Sequence, residues 1–100
     1  MNTTKKERQI IKDSIIKAHK QNTKELGEYN NMSYFVVRLK YDEFGKLMTD
    51  YRRVESFKSL SDAIDIYDNT LFFQHRLVTA LCSIYPDNEV HAIRMSVKAT

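Results

Sequence analysis

The chain has no tryptophan, one cysteine, one proline and two glycines in 100 residues. Each scarcity removes a class of explanation. A lone Cys82 allows no intramolecular disulfide, and it has no Cys–His spacing of the kind that binds zinc. Gly27 and Gly45 stand alone, so a P-loop, a dinucleotide fingerprint and a nucleophile elbow are all missing. No run approaches the roughly 20 apolar residues that cross a bilayer. Met1–Glu7 is polar and charged with no apolar stretch behind it, so a secretory signal is not expected and a cytoplasmic location without membrane contact is.

What is present is ordinary globular material. Hydrophobic residues make up 42% and charged residues 29%, enough apolar side chains for one core without metal or disulfide. Length and the lack of any long linker predict a single domain over residues 1–100, with a long basic helix at 5–26 and a sheet plus one amphipathic helix at 33–97. The net charge is +3, yet it is lopsided: residues 1–25 hold seven cations against three carboxylates. Lys, Ile, Asn, Tyr and Asp are common, the usage of AT-rich genomes such as those of many bacteriophages and mobile elements.

Thr4-Lys5-Lys6-Glu7 reads as a capping box that opens the first helix, and Gly27 as the residue that closes it. Ile11, Ile15, Ala18 and Leu26 share one stripe, with Lys5, Lys12, Lys20 and Lys24 opposite. Ile10 and Ile16 fall on the flanks of that stripe. They imply a helix wrapped on more than one side, or contact with a second chain, including a homodimer. Ser33–Tyr41 alternates as a strand, Asp42–Lys46 as a hairpin loop around Gly45, and Leu47 to about Phe57 as the return strand. Pairing Tyr41 with Leu47 in one continuous ladder sets Arg38 opposite Asp50 and Val37 opposite Tyr51. It also sets Arg53 inward against Phe35, which suits a sheet edge or a shifted register.

A second helix opens at Ser59 as its cap and carries Leu60, Ala63, Ile64, Tyr67 and Leu71 on one face. Leu71–Tyr85 then has two readings. It continues as helix, or Arg76–Tyr85 is a strand that turns at Pro86-Asp87-Asn88 into Glu89–Val97. Turn chemistry and β-branched content favour the hairpin. The expected fold class is α+β, in the order α-β-β-α-β-β. A four-stranded, mostly antiparallel sheet carries the amphipathic helix on one face, and the basic helix lies beside it or projects from it.

Candidate chemistry is sparse. His19, His75 and His91 lie on separate elements and share no ligand spacing, so neither a metal nor another cofactor is expected. His19 reads as an exposed helix residue and His91 as a satisfied strand histidine. Cys82 sits among Ala80, Leu81 and Ile84, a setting that buries a thiol and leaves it inert. Asp62, Asp65 and Asp68 read as one solvated helix face, and no catalytic residue is assigned.

Two surfaces suit binding instead. Ile10, Ile16, Lys12, Lys17, Lys20 and Lys24 on the first helix form a candidate contact for a partner protein, with a plain solvated face as the alternative. Tyr34, Arg38, Lys40 and Arg52 on one sheet face resemble a platform on which bases stack and cations hold phosphate. The expectation is therefore a non-catalytic protein that associates with a host protein. It is of the phage or mobile-element kind that inhibits or redirects its target, such as a defence nuclease, in the manner of an anti-CRISPR protein. A small nucleic-acid-binding regulator using the lysine-rich helix is the alternative.

Overall fold

The computed structural model describes residues 3–48, 53–69 and 76–99. It has the expected α+β order: α1 (Lys5–Leu26), a 3-10 turn (Gly27–Tyr29), β1 (Tyr34–Lys40), β2 (Arg53–Phe57), α2 (Leu60–Asp68), β3 (Arg76–Ser83) and β4 (His91–Ala99). The strands form one sheet in the order β2-β1-β3-β4, with every neighbouring pair antiparallel. The last hairpin is the strand–turn–strand reading, since Arg76–Ser83 pairs with His91–Ala99.

The sheet is covered on both faces. Alternation along β1 sends Phe35, Val37 and Leu39 to one side, where they meet Ile11 and Ile15 of α1 and Val78, Ala80 and Cys82 of β3. Val36 points the other way and packs with Leu81 and with Ala63 of α2. The long helix therefore roofs one face and the short helix the other. The basic helix is neither beside the sheet nor projecting from it, because Ile11 and Ile15 are both sunk in the larger core cluster. This placement explains why β1, a central strand, is buried on both sides.

The register of the first hairpin departs from a continuous ladder. Tyr41 does bridge Leu47, but Arg38 then meets Arg53 rather than Asp50, and Val37 meets Val54. Residues Asp50, Tyr51 and Arg52 lie outside the described residues. An odd shift exchanges the two faces of a strand. Here it turns Val54 toward the α1 core and Phe57 toward the α2 core, and it places Arg53 on the exposed surface instead of against Phe35. Burying a guanidinium on the inward face would cost far more than the local irregularity.

The caps follow the sequence with one exception. Thr4 accepts from the Glu7 amide at 3.1 Å and the Glu7 carboxylate accepts from the Thr4 amide at 2.8 Å, a complete capping box. Gly27 ends α1 at φ 58°, and Gly45 turns the hairpin at φ 76° while Asp42 Oδ1 accepts from the Phe44 and Lys46 amides. Ser59 stands at the cap position of α2, but its hydroxyl bonds Ser61 instead of the helix backbone. Leu26, expected on the buried stripe, is 39% exposed at the C-terminal end of α1. On α2, Ala63, Ile64, Ile66 and Tyr67 make the packed face, Leu60 is 37% exposed and outside that cluster, and Leu71 lies outside the described residues.

Candidate functional site

α1 has 22 residues, about 33 Å of rod at 1.5 Å per residue. Its buried side runs through Glu7, Ile11, Ser14 and Ile15. On the far side Asp13, Ile16, Lys17, Lys20, Gln21 and Lys24 line one shallow open hollow. Their spacing of three and four residues stacks them on one helix face. Ile16 is half-buried there and belongs to neither core cluster.

The two off-stripe isoleucines therefore part company. Ile10 packs against the larger core cluster, so its side chain is used in folding. Ile16 alone is left on the lysine face. The nearby acids are held by neutral neighbours: Gln9 donates to Asp13 at 2.9 Å and Gln21 to Glu25 at 2.6 Å. Among the described residues, Lys12, Lys17, Lys20 and Lys24 form no ion pair and all four are exposed. The hollow thus combines an apolar centre with an excess of positive charge, three lysines against the one carboxylate of Asp13.

The second candidate surface is differently placed. Tyr34 packs against the α2 cluster, and Arg38 reaches Glu55 at 3.4 Å and the Ile66 carbonyl at 3.1 Å. α2 therefore covers the face on which stacking bases were expected to lie. Lys40, at the end of β1, is half-buried, and Arg52 lies outside the described residues. Arg38 closes the C-terminal part of α2, where a cation is favoured by the helix dipole.

The remaining titratable groups are absorbed in structure. Glu7, 1% exposed, takes two hydrogen bonds from Arg76, at 2.9 Å from Nε and 2.8 Å from Nη2. Burial pushes its carboxyl up. Hydrogen bonds from Arg76, the Thr4 amide and Tyr41 outweigh that and bring it to about 2. The Tyr41 hydroxyl is pushed up to about 12 by burial and by Glu7. The Arg76 guanidinium also lies 5.9 Å from the centre of the Tyr41 ring. This cluster escaped the sequence reading, although Glu7 falls one helical repeat before Ile11 on the buried stripe. A carboxylate in that position signals a buried cationic partner.

His19 is not an exposed residue. It is half-buried with its ring edge-on to Phe35 at 6.4 Å, and its Nδ1 has no partner among the described residues. His91 is satisfied by Asp87 at 2.6 Å and holds that carboxyl below its ordinary value, while His75 lies outside the described residues. Cys82 is fully buried, and burial pushes its thiol up to about 11, which keeps it protonated at neutral pH. No group of three or more potential metal-ligating side chains occurs among the described residues. No helix among them is long and apolar enough to cross a membrane.

No family model matches the chain, and no curated protein or solved structure resembles it significantly.

Proposed function

We propose that the protein is a non-catalytic binding protein that acts by protein–protein association, with the solvent face of α1 as its contact. The observation that carries this reading is Ile16. It is an isoleucine on the side of the helix away from the core, set beside Lys17, Lys20 and Lys24 with no compensating ion pair. An apolar centre with a charged rim is the layout of a protein contact: the centre supplies affinity on desolvation, and the rim steers encounter with an acidic surface. The AT-rich residue usage supports a phage or mobile-element origin. On that origin the proposed target is a host protein such as a defence nuclease, which this chain would inhibit or redirect in the anti-CRISPR manner.

The same lysines would also hold phosphates, and nucleic-acid binding is the alternative. Ile16 favours the protein reading, because a phosphate backbone offers it nothing apolar to cover. Capture from bacterial lysate, with and without nuclease, separates the two. A discrete protein retained after digestion by the wild type, and lost with Ile16→Glu at unchanged melting temperature, is the expected result. Loss of all captured protein on digestion would overturn the reading and favour nucleic acid.

A further inference from the structure

Among the described residues β4 is the last strand in the sheet order, nine residues long, and pairs on one side only, with β3. Antiparallel pairing engages the N–H and C=O of alternate residues, so every second residue of β4 turns its main-chain groups away from β3. Such an edge accepts another strand unless it is blunted. The blunting is local. The register passes from Leu81↔Arg94 to Cys82↔Ala92, so Ile93 is an extra residue that bulges out of the ladder. Beyond it, Arg94 to Ala99 pairs without interruption with Leu81 to Arg76 and contains neither proline nor glycine.

The side chains of this uninterrupted edge are sorted by charge. Met95 and Val97 lie on the α1 face of the sheet and pack against the larger core cluster. Arg94, Ser96 and Lys98 alternate with them on the other face. Arg94 and Lys98 are both exposed. The Arg94 interaction with Asp68 is a 3.7 Å contact between half-exposed side chains, so it exchanges partners at little cost. Among the described residues Lys98 has no ion pair.

We propose that the Arg94–Ala99 edge of β4 takes up an extended segment of a partner protein in which carboxylates alternate with apolar residues. Main-chain bonding would continue the sheet, carboxylates would face Arg94 and Lys98, and apolar side chains would lie beside Met95 and Val97. A second copy of this chain fits poorly. Antiparallel self-pairing keeps the faces of the sheet together, so it would set one Arg94–Lys98 row beside another. This edge is separate from the lysine face of α1 and does not depend on it.

The test uses an eight-residue peptide alternating Glu and Val, N-methylated on one edge so that it cannot pair with itself. A Lys–Val peptide of the same design is the control. Amide chemical shifts of the full chain should move at residues 94–98 with the Glu–Val peptide and stay still with the control. Arg94→Glu with Lys98→Glu, checked for folding by circular dichroism, should weaken the first peptide at least tenfold and admit the second. Absence of shifts on β4, equal response to both peptides, or shifts confined to α1 would each overturn the proposal.

Discussion

Arg76, the first residue of β3, and Glu7, in the first turn of α1, share two parallel hydrogen bonds of 2.9 and 2.8 Å across a sequence separation of 69 residues. The pair ties the beginning of the helix to the central sheet. Glu7 simultaneously completes the capping box with Thr4, so one side chain both starts the helix and docks it.

Removing one partner of a buried ion pair leaves the other uncompensated. Glu7→Ala should therefore destabilise the fold by about 3 kcal/mol, measured by urea unfolding. Arg76 is 22% exposed and regains water in the variant, which keeps the loss toward the lower end of that class. A change below half a kcal/mol would show that the pair contributes nothing net.

The same pair sets a pH dependence. The Glu7 carboxyl is depressed in the fold to about 2 from an ordinary 4.5, so its contribution is fully present above pH 4.5 and is lost as pH falls toward 2. Tyr41 is raised from 10 to about 12, so its contribution is full below pH 10 and is lost as pH climbs through 12. Stability profiles of Glu7→Gln should have a shallower acid limb, to which Asp87 still contributes, and those of Tyr41→Phe a shallower alkaline one, to which Cys82 still contributes. Wild-type slopes retained in both variants would contradict the assignment.

Ile10 and Ile16 should behave oppositely under the same substitution. Ile10→Glu places a carboxylate against the core margin and should cost about 1–3 kcal/mol. Ile16→Glu lies on the solvent side and should stay within about 0.5 kcal/mol of wild type in thermal unfolding. Equal losses would mean that Ile16 is a packing residue.

Arg38→Ala removes the contacts to Glu55 and to the Ile66 carbonyl together. A cost of about 1–2 kcal/mol is expected. It should appear in amide exchange first at the C-terminal turn of α2, before the central strands open. Uniform loss of protection throughout the sheet would instead assign Arg38 to the core.

Most elements were legible because local signals agree with one another: the Thr4–Glu7 box, the alternation through Tyr34–Lys40, and the Pro86-Asp87-Asn88 turn each stand on a few neighbouring residues. What escaped is what the far partners decide. The first hairpin's register depends on which core each face of β2 meets, and the Tyr41–Leu47 bridge alone does not carry that. Arg53 was the one residue that signalled the shift, by its misfit against Phe35. The cover of α2 over Tyr34 and Arg38 was hidden likewise, since a strand face that alternates Tyr, Val, Arg and Lys reads as open until a helix is laid on it. On α1, a helical wheel flags Ile10 and Ile16 alike, and only the packing of the sheet separates them.

The central claim is that the lysine face of α1 is covered when the partner binds. Acetylation of the chain free and in complex with the captured protein, read lysine by lysine by mass spectrometry, tests it most directly. The account predicts protection of Lys17, Lys20 and Lys24 with Lys46 and Lys58 labelled as in the free chain. Unchanged labelling along α1 with the partner bound would contradict it.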